Sequence, residues 1–516
     1  MTHVRAAALI LIVGVGGLVA YYFLSPMLEE RRQLATSDAQ GTRGTISVGV
    51  DSWVGYFPLC SPVMKRNMRQ AGYLLRCVDD SADYAKRMAA LRSGELDFAV
   101  ATVDSYLLAG APEGFPATIA MVIDESKGGD AIVARKDRFQ RIEDLRGAKG
   151  LQLAFTPQSP SEHLLKSIAA HFDLPALRDR QGAWRLEARG SLEARAWLES
   201  GKADVAVLWE PDVSRALADA RFTKLLGTED TEKLVVDILL VRRELSSDRP
   251  EVVRELLSQY FRTLKHYRET PDELRSDVAG ALDFPAEQVD TMLQSVRWAS
   301  LQDNALAWFG LTVQGQDSRD GIIDAIEGAV EILTAAGDFK SSPLPDGDPY
   351  RILHSEPVEQ LFAGRVFGTA SVEGSDDAVA RGFEPLSAAQ WDALRPIGTL
   401  KVRPITFQSG TAQLSIEGKR ELDKAADNLA HYPNFRVVIA GHTGLRGDAD
   451  ENRRLSQERA DSVARYLQVT YTVDEDRLRA LGKGASEPLP QQSGESARSY
   501  NYRLPRVELL LVAEAY

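Results

Sequence analysis

Residues 45–101 read TISVGVDSWVGYFPLCSPVMKRNMRQAGYLLRCVDDSADYAKRMAALRSGELDFAVA, and two periods alternate along them. Residues 46–50 are a short apolar strand, 59–71 have helical spacing, and 73–78 are a second strand. Residues 84–92 make a helical run that stops at Gly94, and 96–101 are a third strand. Strands separated by helices predict a parallel α/β sheet. The pattern restarts beyond Ile142-Glu-Asp-Leu-Arg-Gly147, with strands at 151–155, 205–209 and 235–241 and helices at 161–172 and 191–200. Helical segments then dominate from Pro250 to about Ala336. Two such units in series predict two lobes with a ligand cleft between them.

Upstream, Ala6 to Leu24 is a run of 19 residues without a charge. As a helix it spans ~29 Å, close to the hydrocarbon thickness of a bilayer. No clear A-x-A cleavage site follows, and no cysteine that could carry a lipid, so residues 1–28 read as an uncleaved transmembrane anchor. Residues 29–44 are a short tether. Downstream, residues 341–398 carry Pro343, Pro345, Pro357, Pro385, Pro396 and an acidic patch at Glu373, Asp376 and Asp377, and read as a linker with a local helix near 388–394. Residues 399–516 then form a smaller α/β unit. Its helix at 415–432 is capped by Ser415 and stopped by Pro433, and a strand follows at 435–440.

Composition removes several classes of function. Lys+Arg is 61 and Asp+Glu is 74, so the net charge is −13 and no global basic field favours nucleic acid. Two cysteines cannot make a Cys-only zinc site, and the seven histidines fall in no H-E-x-x-H arrangement. No G-x-S-x-G or Cys–His motif is present, so the reading is of a protein that is not an enzyme, without metal or cofactor.

In an open α/β sheet ligands lie beyond the carboxyl ends of the strands. The post-strand loops nominate Trp53, Tyr56, Thr102, Ser126, Gly129, Ser159, Ser161 and Glu210 as ligand-binding residues. Ser159-Pro-Ser-Glu162 is a capping box with Pro at the first helical position, and a helix start is a ready anion site. Ser159 equally serves as a cap alone. Gly128-Gly129 allows close backbone approach or is a turn. Trp53, Tyr56 and Trp209 stack on a ligand or belong to the core.

The Gly55-Tyr56-Phe57-Pro58 turn, Ser93-Gly94-Glu95-Leu96-Asp97, Ser126 to Arg135, Ile142 to Gly147 and Ser200 to Pro211 together resemble the periplasmic binding proteins of the nitrate/sulfonate/taurine and thiamine-precursor class. The resemblance covers residues 45–340. It implies a non-enzymatic, two-lobed fold that binds a small anionic or aromatic nutrient and hands it to a membrane transporter; Glu210, which suits an amine or amide donor, extends the expected ligand to an anionic or zwitterionic solute. Cys60 and Cys77 fit this fold, both at one edge of the sheet. A disulfide there suits an oxidising compartment; two free buried thiols are the alternative.

Phe407-x-x-Gly410, the Gly441-His442-Thr443 loop and Asn452-x-x-Leu455-Ser456-x-x-Arg459-Ala460 resemble the OmpA-like peptidoglycan-binding domain. The resemblance implies that Arg459 holds a carboxylate of diaminopimelate, with Thr443 and Asn452 at the rim. A guanidinium fork suits that carboxylate. The family's Asp after His-Thr, which meets the diaminopimelate ammonium, is Gly444 here, so wall binding is expected to be weak unless Asp448 or Asp450 supplies the charge.

The expected molecule is a single-pass protein of a Gram-negative inner membrane. Its bulk lies in the periplasm and its partners are a small ligand, peptidoglycan and a transporter or another envelope protein. The alternative is an envelope scaffold whose lobes dock a protein and no longer bind a solute.

Overall fold

A computed structural model describes residues 43–513 apart from 173, 283, 285, 312–319, 367–382, 409–410 and 493. The expected anchor at 1–28, nearly all of the tether and the acidic patch at 373–377 lie outside the described residues. Among the described residues no helix is long and apolar enough to cross a membrane.

The chain first lays down β1 (Gly44–Val50), β2 (Tyr73–Asp79), β3 (Phe98–Thr102) and β4 (Ala117–Ser126). It crosses to a second lobe as β5 (Asp130–Arg135), β6 (Leu153–Phe155), β7 (Arg185–Glu187), β8 (Val205–Trp209) and β9 (Phe222–Gly227). It returns as β10 (Val236–Arg242) and β11 (Val296–Trp298). The first sheet has the order β11-β4-β10-β3-β1-β2 and the second β7-β6-β8-β5-β9. The sheets are mixed, where the spacing predicts parallel ones. β10 lies antiparallel to both neighbours because it re-enters the first lobe from the second. β5, which enters the second lobe from the first, likewise runs antiparallel to β8 and β9. Each strand that crosses between lobes arrives from the opposite end, which reverses its direction.

Local signals explain the rest. β3 and β8 are buried along their whole length, as continuous apolar strands must be. The helix Tyr84–Ser93 ends on Gly94 at φ 78°, a left-handed position that costs glycine nothing. Cys60 and Cys77 form a disulfide with Cα atoms 6.2 Å apart, pinning the first helical turns to β2.

The segment read as a linker from 341 is packed at both ends. Ile352 and Val358 are fully buried in the core of the first lobe, and Leu353 bridges Ile119 of β4. Proline there terminates helices without preventing burial. At the other end, β12 (Arg395–Thr399) joins the sheet of the third unit, which also contains β13 (Arg436–His442), β14 (Leu478–Gly484) and β15 (Arg506–Ala513) in the order β12-β15-β13-β14. The helices Ile416–Ala430 and Ala449–Tyr471 pack with this sheet. Gly482 permits the close approach, since a Cβ there would lie 2.6 Å from Gln457 N.

The third unit is seated on the second lobe. Tyr432 is fully buried, packs edge-on against Phe172 with ring centroids 5.6 Å apart, and its hydroxyl lies 2.7 Å from His171 Nδ1. Lys401 N donates to His171 O at 2.6 Å, and Phe172 bridges Leu400. One apolar core therefore runs from the second lobe into the third unit.

Candidate functional site

Two crossings join the lobes, 127–129 and 228–235, and polar bonds tie them together. Ser126 Oγ and Thr228 Oγ1 are 2.7 Å apart, and Gly128 N donates to Thr228 Oγ1 at 2.9 Å. Asp130 N donates to Ser126 Oγ at 3.1 Å, and Lys127 Nζ to Thr231 O at 2.6 Å. Ser126 therefore serves the hinge, not a ligand as the loop position predicts.

Beside the hinge lies a small interlobe cavity. Its first-lobe wall comes from Asp51, Trp53, Tyr56, Tyr84 and Asp237; its second-lobe wall from Asp130, Pro160 and Trp209, with Val235 between. The free space is about 10 Å³, room for one water-sized occupant. The post-β1 turn places Trp53, whose indole Nε1 donates to Asp124 Oδ1 at 3.2 Å. The Tyr56 hydroxyl donates to Asp237. Gly129 lies under the six-membered ring of Trp53, and a Cβ at that position would collide with it.

The other nominated residues are spent elsewhere. Thr102 Oγ1 donates to Ser105 Oγ at 2.7 Å and does not line the cavity. Ser159 Oγ donates to Thr156 O and accepts from Ser161 N, while Ser161 Oγ donates to Val207 O. Both serines are fully buried, so this helix start keeps no free hydroxyl for an anion. Pro160, which does reach the cavity, has no N–H to offer. Glu210 accepts from Ser214 N at 3.0 Å and Oγ at 2.7 Å. It faces a separate outer groove of about 610 Å³ with Gly128 and Ser295.

The cavity is acidic. Burial pushes Asp124 up to about 8 and Asp130 up to about 7, and raises Asp51 and Asp237 as well. Asp130 Oδ1 and Asp124 Oδ2 are buried without a hydrogen-bond partner. Arg87 is fully buried and divided between Asp51 and Asp80, with Nη1 donating to Val100 O. Asp124, Asp237 and Tyr84 were not nominated from the sequence. The available signal was an Asp inside the apolar runs Ala120-Met-Val-Ile-Asp124 and Val235-Val-Asp237-Ile-Leu-Leu240. A charge buried in a strand core is costly without a partner or a purpose.

The second site is on the third unit. The Arg459 guanidinium lies 5.0 Å over the Phe407 ring, and its Nε donates to Thr411 O at 3.2 Å. Asn452 stands seven residues earlier on the same helix, hence on the same face. Its Nδ2 donates to Arg446 O at 3.1 Å and braces the loop after β13. Thr443 N donates to Gly484 O at 2.9 Å, and Thr443 Oγ1 is buried without a partner. Asp448 caps the helix by accepting from Asp450 N and Glu451 N, so its carboxylate is already engaged. At Gly444 a Cβ would meet nothing within 4 Å. Gly410 of the Phe407-x-x-Gly410 motif lies outside the described residues.

Comparison with known proteins matches two separate stretches of the chain. Residues 80–281 match the family of the ABC transporter, phosphonate, periplasmic substrate-binding protein, and residues 406–502 match the OmpA family. The probable lipoprotein YiaD of Escherichia coli is 39% identical over 100 residues, 19% of this chain and 45% of that protein. The peptidoglycan-associated lipoprotein of Buchnera aphidicola is 32% identical over 103 residues, 20% of this chain and 59% of that protein. The chain thus spans about half the length of these curated relatives. The alkanesulfonate-binding protein SsuA of Xanthomonas axonopodis pv. citri superposes with a TM-score of 0.44 at 16% identity, over 57% of this chain and 93% of that one.

Proposed function

We propose that this chain, which joins a phosphonate-type periplasmic substrate-binding domain to an OmpA-family domain, is a wall-tethered solute receptor of the cell envelope and not an enzyme. The observation that carries this reading is the cavity itself. Aromatic and carboxylate side chains from both lobes meet beside two tied hinge crossings, the arrangement through which lobe closure traps a solute. In this reading the uncharged run at 6–24 anchors the chain in the inner membrane. The third unit contacts peptidoglycan through Arg459, and the lobes serve sensing or delivery to a transporter.

A second reading has one observation in its favour. The cavity is nearly filled, with about 10 Å³ free, as it would be in lobes that dock a protein and take no solute. Mass spectrometry of small molecules released on denaturing the full chain, purified from envelopes, separates the two. The receptor reading expects one solute at near-stoichiometric yield from the native chain, lost from Trp53→Ala. A native chain that releases nothing sinks it and leaves the docking reading.

A further inference from the structure

This cavity offers an oxyanion no cationic side chain. Its helix start offers Pro160, and the neighbouring Ser159 and Ser161 hydroxyls are consumed internally. No Lys, Arg or His lines it, and the nearest guanidinium, Arg87, is held by Asp51 and Asp80. Three carboxylates do line it: Asp51, Asp130 and Asp237. Asp130 is 1% exposed, and its Oδ1 lacks any hydrogen-bond partner. Uncompensated burial of such an atom is costly, more so for a charge than for a neutral group. A donor carrying positive charge removes that cost.

The remaining wall fits the same occupant. Trp53 and Tyr56 have their polar tips tied to Asp124 and Asp237, so what they present to the space is aromatic surface. Tyr84 and Trp209 complete the ring set. Aromatic faces with carboxylates attract a cation and repel an anion. Among the described residues no group of three or more His, Cys, Asp or Glu is placed to hold a metal ion, which favours an organic cation. The free space suits an ammonium head, which is about the size of water.

We infer that the interlobe cavity is a site for a positively charged alkylammonium group, with Asp130 as its principal hydrogen-bond acceptor and the Trp53, Tyr56, Tyr84 and Trp209 rings as its cage. The inference rests on the solute-receptor reading and gives the ligand's class. It reverses the anionic expectation and retains a zwitterion only if the anionic end lies outside the cavity. The Trp53 ring sits over Gly129, where any Cβ would collide with it.

Trp53 and Trp209 both border the site, so intrinsic fluorescence reports on it. Methylammonium chloride, titrated at pH 8 into the full chain against sodium chloride of equal ionic strength, is expected to give a saturating change. Asp130→Asn should weaken it at least tenfold while leaving the fold intact by circular dichroism. If that variant fails to fold, Asp237→Asn should show the same loss. Saturation by methylphosphonate or methanesulfonate, with none by methylammonium, overturns the inference and leaves the receptor reading standing. Equal methylammonium affinity in the native and Asp130→Asn chains also overturns it. A chain that binds none of the three yet releases a solute on denaturation overturns the ligand class alone; one that releases nothing fails the receptor reading itself.

Discussion

Asp124 and Asp130 hold protons to about pH 8 and about pH 7 in the folded chain, because burial makes their charged forms costly. An unfolded Asp loses its proton near pH 3.9. Between these values the folded state binds more protons, so stability falls as pH rises through the window. The histidines act in the opposite sense at lower pH. Burial depresses His171 to about 3 and lowers His163 and His431, so the folded state binds fewer protons below roughly pH 6.5 and stability rises up to that point. Glu495 and Glu508 are depressed to about 2 and complete their effect below pH 5. The solute-free chain is therefore expected to lose stability above roughly pH 6.5, where the histidine effect fades and the buried carboxyls still shed protons. The loss should continue to about pH 9, as Asp130 and then Asp124 release their protons. Calorimetry on the solute-free chain checks this: the melting temperature should fall by a few degrees from pH 6.5 to 9, and Asp124→Asn should flatten the fall. A flat native profile would mean that these carboxyls are ionised in the fold.

At the scale of elements, the proposed wall contact of the third unit turns on the loop from β13 into the helix Ala449–Tyr471. The loop is braced from within, by Asn452 on Arg446 O and by Asp448 at the helix start, so its shape does not depend on residue 444. The space around a Cβ at Gly444 is open, and its φ lies outside the left-handed range, so Asp fits there without strain. Gly444→Asp should strengthen sedimentation with purified diaminopimelate-type peptidoglycan about tenfold or more, in line with ~1.5–3 kcal/mol for a charge-assisted hydrogen bond. Arg459→Ala should abolish it in both backgrounds. Sedimentation that survives Arg459→Ala would put the wall contact elsewhere. The same unit shows what the sequence exposes and what it hides. The helix Ile416–Ala430 and its Ser415 cap follow from short local spacings, whereas the role of Arg459 is what the family resemblance implies. In the lobes, the strands at 46–50, 73–78 and 205–209 are equally local. The direction of β5 and β10 is not, because it depends on which lobe the chain arrives from. The Ser159 helix start was legible as a cap, whereas the consumption of its hydroxyls by Thr156 O and Val207 O was not, since Val207 lies on another strand. The acidic cavity was hidden for the same reason: Asp51, Asp130 and Asp237 are far apart in sequence and meet only when both lobes are folded.

For the whole molecule, the third unit holds the hinge as well as the second lobe. Asn434 Nδ2 donates to Glu229 O at 2.6 Å, and Glu232 N donates to His431 O at 3.0 Å. Glu229 and Glu232 belong to the crossing between β9 and β10, whose first residue, Thr228, is bonded to the other crossing at Ser126. Movement of one lobe against the other must therefore carry or strain the third unit, which in the proposed reading couples solute state to the tether. Tyr432 is the anchor of this contact. Its ring packs edge-on to Phe172 and stacks on Phe435 at 6.0 Å, and its hydroxyl satisfies His171. Tyr432→Ala opens a cavity and strands the buried His171, a loss of roughly 3–5 kcal/mol for a large aromatic. Small-angle scattering should then show a larger radius of gyration, and calorimetry should resolve two transitions where the native chain has one. Tyr432→Phe keeps the ring and loses only the hydroxyl, a change of about 1 kcal/mol, so it should remain compact with a small drop in melting temperature. If Tyr432→Ala scatters as the native chain does, the third unit is held by the connecting chain and not by this interface, and solute binding has no mechanical route to the wall.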